Sequence, residues 1–418
     1  MTKYDVIIVG GGHSGAQTAI ELRNNDFKGS ILIVSNEKYF PYDRPSLSKD
    51  YFLDKKNLEN IYLHPEDVWE KQSINFVFEK EVTAVNAQSY EISLCDGSTY
   101  SYRSLIWATG GRVRKLQIGT PEIIESIQYI KNFDDIERIK TQVITCQHVT
   151  VIGGGYIGLE AAAALRQLNV NVTLLEAGDR LLGRVTGQKM SQYVYTLHES
   201  HDVDLRLNVK IDDIIAVDNA YEIILEGQDH IQTDMIIAGI GILPNTETLA
   251  AAGITCHNGV VIDDYCRTSQ KNIFAIGDCA SHCNDFSGYQ YLRLESIQNA
   301  NDMAKTVADF IAASPAGYRK TPWFWSEQFT TRLQTVGLLH GYDQEIIRGE
   351  FGTNKFSVLY FKANQLLAVD CVNNPKDFVQ AKNLVGKLFE QPTALSDDSK
   401  PLKTFVYKEN VESKENIL

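Results

Sequence analysis

Residues 5–22 read DVIIVGGGHSGAQTAIEL, and residues 148–165 read HVTVIGGGYIGLEAAAAL. Each is a β-branched run, a G-x-G-x-x-G loop and an alanine-rich helical stretch. Each is then followed by a second apolar run, ILIV from Ile31 and VTLL from Val172. Strand, tight turn, helix, strand is a β-α-β unit, so the chain carries that unit twice. Gly10 and Gly153 permit the turn out of the strand, Gly12 and Gly155 let the backbone approach a pyrophosphate, and Gly15 and Gly158 let the helix pack closely on its sheet. A pyrophosphate in such a loop meets the amides and the positive dipole end of the following helix.

Working outward, Glu176 stands at the end of the second apolar run of the second unit, 21 positions after Gly155. An acidic residue there can hold a ribose diol. A 2′-phosphate beside it is repelled by about 1 kcal/mol in water and about 4 at an effective dielectric of 20, which favours NADH over NADPH. In the first unit the corresponding stretch reads Ser35, Asn36, Glu37. Two dinucleotide sites in one chain suggest that one nucleotide donates electrons and the other receives them.

The chain has 418 residues, 44% apolar and 22% charged, the mixture of a folded soluble protein of several domains. Its net charge of −13 excludes a general attraction to nucleic acid or anionic lipid. The N-terminus lacks a secretory pattern, no apolar run reaches the length of a membrane span, and a cytoplasmic location is expected. Seven scattered cysteines without a C-x-x-C pair are expected to be reduced thiols. Cys279, His282 and Cys283 lack the second ligand cluster that a metal site needs, and no metal is expected.

Residues 75–103 read as short antiparallel strands with a hairpin signal at Asp96–Gly97, and a similar pattern covers 204–237. A helix is expected in the stretch from Leu294, and Pro315–Gly317 marks a boundary. Beyond it, KFSVLYFK and QLLAVDCV alternate as half-buried antiparallel strands. A helix follows from about Pro375, and the tail after Thr404 is polar. Lys376, Lys382, Lys387, Lys400 and Lys403 offer this region a basic face.

Further motifs carry a family resemblance: SLIWATGGR ending at Arg112, NIFAIGDCA ending at Ala280, PYDRPSLSKDYF from Pro41, GIGILPN ending at Asn245 and PWFWSEQF from Pro322. With the two glycine loops, these make the chain similar, over nearly its whole length, to NADH-dependent FAD-containing ferredoxin reductases of bacterial oxygenase systems. The resemblance implies an α/β fold of the glutathione-reductase type, with two nested Rossmann-like domains and a C-terminal mixed α/β domain. The expected bounds are 1–115 and 243–317 for the FAD domain, 116–242 for the NAD domain and 318–418 for the C-terminal domain. The implied activity moves hydride from NADH to FAD, then single electrons to a [2Fe-2S] ferredoxin feeding a Rieske dioxygenase or a cytochrome P450. A rubredoxin reductase, and a non-enzymatic NADH-responsive flavoprotein of the apoptosis-inducing-factor type, are the alternatives. Disulfide reductases of this superfamily carry a cysteine pair near the flavin, and residues 36–56 contain none.

By the same resemblance, Lys49 and Glu160 serve the flavin and nicotinamide sides, and Trp325 reaches the flavin, while Trp323 and Phe324 are expected in the core. FAD contacts are implied at Gly10, Gly12, His13, Ser14, Gly15, Ser35, Asn36, Glu37, Arg44 and Val82. Further along the chain they are implied at Ala108, Thr109, Gly110, Lys131, Asp278 and Ile297. Asn36 and Lys131 stand where the family pattern has Asp and Arg. NAD contacts are implied at Gly153, Gly155, Tyr156, Ile157, Gly158, Glu176, Arg184 and Gly241.

Overall fold

The computed structural model describes residues 2–227, 229–283, 288, 290–405 and 407–408. The chain divides into two compact units, one of Met1–Ser46, Lys56–Arg112 and Ile242–Pro322, the other of Leu47–Lys55, Val113–Gly241 and Trp323–Leu418. Leu47–Lys55 therefore groups with the second unit although both its flanks belong to the first.

In the first unit five strands run parallel in the order Ile74–Val77, Ile31–Val34, Thr2–Val9, Thr99–Trp107, Ile273–Ala275. Residues 6–9 and Ile31–Val34 are buried without interruption, as parallel strands covered on both faces must be. The helix His13–Asn24 packs on the helix Ile297–Ile311. Both bury small residues, Ala16 and Ala19 on one and Ala300, Ala304 and Ala308 on the other, which allows a close approach. The second helix starts on Ser296, whose Oγ accepts the Asn299 amide at 3.1 Å, the usual N-cap bond.

The second unit repeats the arrangement with four parallel strands, Val203–Arg206, Asn171–Leu175, His148–Ile152 and Met235–Ala238. Two expected antiparallel stretches are thus only partly so. Val82–Asn86, Glu91–Leu94 and Thr99–Trp107 form a meander whose turn holds Gly97 at φ +83°. Ile74–Val77, however, lies parallel to Ile31–Val34. Similarly, Ile211–Val217, Ala220–Leu225 and His230–Thr233 are antiparallel, while the strands before and after them join the parallel sheet. The reason is the crossover: the helices Glu66–Lys71 and Gln188–Glu199 precede the two third strands, and a helical crossover delivers a parallel strand.

The same unit contains an antiparallel sheet in the order Trp323–Gln328, Thr331–Gly337, Gln365–Val372, Phe356–Lys362, Gln344–Gly349. The expected half-burial fails in its centre, where residues 356–361 are all buried. One reason is that residues of 186–193 also cover this sheet: the Gly187 amide donates to Tyr360 Oη at 3.2 Å, and the Tyr193 ring meets Phe356 at 5.0 Å. The helix Pro375–Ala381 is capped by Asn374, and the polar tail beyond Lys408 lies outside the described residues. Among those described, no helix is long and apolar enough to cross a membrane.

Two buried polar sites in this unit carry testable consequences for stability. Arg348 donates from Nε to Asp377 Oδ2 at 2.9 Å and from Nη1 to the Leu395 carbonyl at 3.0 Å, and both ionic side chains are almost fully buried. Arg348→Met should cost about 3–5 kcal/mol in chemical denaturation, because it leaves Asp377 charged and unpaired. A loss under about 1 kcal/mol would mean that the arginine contributes packing alone. His198 is fully buried, and burial pushes its imidazole down from 6.5 to about 4. The unfolded chain then binds a proton that the folded chain refuses. Stability should fall as pH drops from about 6.5 towards 4, by an amount on the order of 3 kcal/mol, and His198→Gln should flatten that part of the curve.

Candidate active site

In the first unit Gly10 leaves the strand at φ +117°, its amide donating to the Val34 carbonyl at 2.8 Å. A Cβ on Gly10 would lie 2.3 Å from the Ala108 carbonyl oxygen, and one on Gly15 would lie 2.0 Å from the Gly10 oxygen. Gly12 differs, since its Cβ would find nothing nearer than Arg44 Nε at 3.7 Å. Gly12 is also the N-cap of the His13–Asn24 helix, and no side chain caps it. An open backbone face beside an uncapped helix terminus suits a pyrophosphate.

Around this loop the structure gathers most of the sequence-derived residues of the unit. Glu37 accepts from Arg44 Nη2 and, at 2.5 Å, from Tyr42 Oη. The Ser35 Oγ accepts the Glu37 amide at 3.2 Å, and Asn36 is exposed. His13 Nε2 lies 3.4 Å from Asp43. Ser14 Oγ occupies the place a Gly277 side chain would need, which brings the 277–278 segment to the loop, and the charge of Asp278 acts on Arg44. The segment Ala108, Thr109, Gly110 is fixed by Asn245, whose Nδ2 donates to the Thr109 carbonyl at 3.1 Å and whose amide donates to that of Gly110 at 3.0 Å. Ile297 opens its helix half-buried, and the Val82 side chain is committed to the core.

The second unit reproduces the loop. Gly153 has φ +110°, and its amide donates to Leu175 at 2.8 Å. A Cβ on Gly158 would lie 2.0 Å from the Gly153 oxygen, whereas one on Gly155 would find nothing nearer than the Gly239 carbonyl oxygen at 4.0 Å. Gly155 again caps a helix, Tyr156–Gln167, without a side chain. Glu176 sits at the mouth, its two carboxylate oxygens accepting the Gly154 and Gly178 amides at 2.6 Å each. Ile157 and Arg184 are exposed, and Gly241 has φ +102°. Lys131 lies in this unit, in the lead to the helix Phe133–Val143, with its amide 3.2 Å from Asp135 Oδ2.

One turn into the Tyr156–Gln167 helix, Glu160 is 3% exposed. Its Oε2 accepts Lys49 Nζ and Ser48 Oγ, both at 2.6 Å, and its Oε1 accepts Ser326 Oγ at 2.6 Å. A buried carboxylate is tolerated only with such a full set of donors. The segment Leu47–Lys55 is fastened to the Phe133–Val143 helix. Tyr51 Oη donates to Glu137 at 2.7 Å, its ring packs on Phe133 at 5.1 Å, and Lys140 Nζ lies 4.4 Å from its ring centre. Ser48, Ser326, Tyr51 and Glu137 were not singled out by sequence. Ser48, Tyr51 and Ser326 lie inside the quoted motifs, the signal that could have found them.

The strand Trp323–Gln328 alternates. Phe324 packs on Tyr156 at 4.4 Å, and Ser326 and Gln328 share its face. Trp323 and Trp325 point the other way, 5.8 Å apart. Neither Trp323 nor Phe324 is a core residue, since both are half-buried, and Lys382 Nζ lies 3.8 Å from the Trp323 ring centre. Among the cysteines, Cys279 is fully buried, and burial raises its thiol to about 11, the opposite of a reactive thiolate.

Residues 4–304 match the family model described as pyridine nucleotide-disulphide oxidoreductase, and residues 323–406 match the reductase C-terminal model. A ferredoxin–NAD(P)+ reductase of Sphingomonas sp. is 42% identical over 97% of this chain and 98% of its own length. Putidaredoxin reductase of Pseudomonas putida is 36% identical over 96% of each chain. A crystal structure of the covalent putidaredoxin reductase–putidaredoxin complex superimposes with a TM-score of 0.91 at 35% identity, covering 96% of this chain and 98% of that one. The chain belongs to the pyridine nucleotide-disulphide oxidoreductase family, among its FAD- and NAD(H)-dependent ferredoxin reductases.

Proposed function

We propose that this protein is a cytoplasmic NADH:[2Fe-2S] ferredoxin reductase of an oxygenase system. The observation that carries the reading is the pair of uncapped glycine-loop helices, each with an acidic residue at the end of the next strand, in one chain. The loop at Gly10–Gly15, with Ser14, Glu37, Arg44, the 108–110 segment and Asp278, holds FAD in a domain of residues 1–115 and 243–317. The loop at Gly153–Gly158, with Glu176, holds NAD(H) in residues 116–242. Residues 318–418 form the domain that contributes Trp325.

When bound, FAD takes an electron pair from NADH and releases electrons singly to an iron–sulfur partner. The chain's own residues position and polarise. Glu160, held by three donors, fixes Lys49, and Lys49 supplies a preorganised positive charge to the ring system that takes up electrons. Glu176 already holds two amides and keeps its charge where a 2′-phosphate would have to lie.

The test is NADH-driven cytochrome c reduction by the purified yellow protein, with and without a panel of [2Fe-2S] ferredoxins and rubredoxins. A large rate increase with one ferredoxin supports the reading, and an increase with rubredoxin alone redirects it to a rubredoxin reductase. Fast flavin reduction that no carrier relieves favours an NADH-responsive binding protein instead. Lys49→Met should slow flavin reduction at saturating NADH by about 100-fold, the scale of a lost preorganised electrostatic group, and an unchanged limiting rate removes the assigned role. Glu176→Ala should narrow the preference for NADH over NADPH in kcat/KM by about fivefold or more, corresponding to ~1 kcal/mol of relieved repulsion. An unchanged ratio would place the discrimination elsewhere.

A further inference from the structure

Behind Ser326 the hydrogen bonds continue. Gln328 Nε2 lies 3.2 Å from Ser326 Oγ, and Gln328 Oε1 lies 2.9 Å from His198 Nε2. His198 is on the helix Gln188–Glu199, and both it and Gln328 are fully buried. A continuous line of side chains therefore runs Lys49, Glu160, Ser326, Gln328, His198.

Every proton in that line has one consistent place. A carboxylate only accepts, so the Ser326 hydroxyl donates to Glu160 Oε1. Ser326 Oγ must then accept from the Gln328 amide nitrogen, which turns Gln328 Oε1 towards His198. That oxygen needs a donor, so His198 carries its hydrogen on Nε2. His198 Nδ1, buried with no hydrogen-bond partner, is then a bare lone pair, which is cheaper to bury than an orphaned N–H or a charged ring. Burial also pushes the imidazole well below neutral pH, so the ring holds one proton and the direction of donation is locked.

We infer that Ser326, backed by Gln328 and His198, is a positioning residue for hydride transfer: it pins Glu160 Oε1 so that Oε2 holds Lys49 in one geometry. The inference rests on the reading of Lys49 and Glu160 proposed above. It assigns to the C-terminal sheet and to the interior end of the 188–199 helix a part in the reductive step, separate from any part in docking a carrier. The surroundings of Glu160 support it. Its charged neighbour is Lys49, its neutral donors are Ser48 and Ser326, and Tyr156 on its own helix is close enough to feel its charge. Ser326 is the only donor among these contacts that reaches Oε1.

The test follows flavin reduction by NADH in stopped flow on the holoenzyme, for Ser326→Ala, Ser326→Thr, Glu160→Gln and the double variant Ser326→Ala with Glu160→Gln. NAD+ affinity is titrated through flavin absorbance in parallel. Ser326→Ala should lower the limiting rate by about tenfold, the scale of one hydrogen bond to a charged group. NAD+ affinity should stay within about threefold, which separates positioning from nucleotide binding. Ser326→Thr, which keeps the hydroxyl, should recover most of the rate. In the Glu160→Gln background the Ser326→Ala change should add almost nothing, since coupled groups are non-additive.

A readout independent of turnover is the 15N spectrum of the histidines, in which His198 should be a neutral Nε2–H tautomer at pH 6. A protonated ring, or an Nδ1–H tautomer, overturns the line of donors. Additive losses, or a Ser326→Ala enzyme as fast as wild type while Glu160→Gln is slow, overturn the positioning role and leave the Lys49–Glu160 reading standing. Wild-type rates in Glu160→Gln and Lys49→Met together overturn both.

Discussion

The carboxylate of Glu160 has almost no access to solvent, and stripping water from an ion costs several kcal/mol even after the protein relaxes. Whatever offsets that cost is obligatory in the folded state. The offset comes from residues 48, 49 and 326 at once, so two stretches of chain far apart in sequence must converge on one helix turn. That helix begins at the second glycine loop. The element whose open N-terminus suits a phosphate also carries, one turn inside, the acid that gathers the remaining polar groups. The piece Leu47–Lys55 leaves the unit of its flanking residues, and the polar contacts of Ser48, Lys49 and Tyr51 give the physical reason.

The two glycine loops share their backbone chemistry to the hydrogen bond, with Gly10 donating to Val34 and Gly153 to Leu175 at the same length. They part company in the side chains at the strand ends. Glu37 is occupied by a guanidinium and a phenol, whereas Glu176 is occupied by two backbone amides. Repetition of the scaffold is thus compatible with two different electrostatic mouths. In the first the acid is paired with a cation, and in the second it is held by backbone amides.

Much of this was legible in the sequence because its determinants are local. Glycine spacing, a β-branched run before it and an acid some 20 positions on are read within one window, as are the helical stretch from Leu294 and the Asp96–Gly97 turn. The orientation of Ile74–Val77 was not legible, because a short apolar run carries no mark of the direction of its partner. The full burial of residues 356–361 was missed for a related reason: alternation shows on which faces a strand differs, and other segments decide whether both faces are covered. Ser326 and Gln328 lie inside the PWFWSEQF motif and His198 in an ordinary helical stretch, and their connection arises only when 198 and 328 are brought within 2.9 Å. The hairpin joining Gln328 to Thr331 was equally silent, since Phe329 adopts φ +56° without the glycine or asparagine that normally announces it.

That hairpin has a bearing on how this part of the protein can change over time. Because side chains alternate along residues 323–328, the hydroxyl that reaches Glu160 and the indole of Trp325 are separated by a single step of the backbone. Replacing one residue disturbs one face. Deleting or inserting one codon between 323 and 328 would rotate the whole stretch, presenting an indole to a buried carboxylate and a hydroxyl where the paired tryptophans lie. The lineage of this strand should therefore vary freely in some letters while its length stays constant, a constraint imposed by geometry rather than by the identity of any one residue.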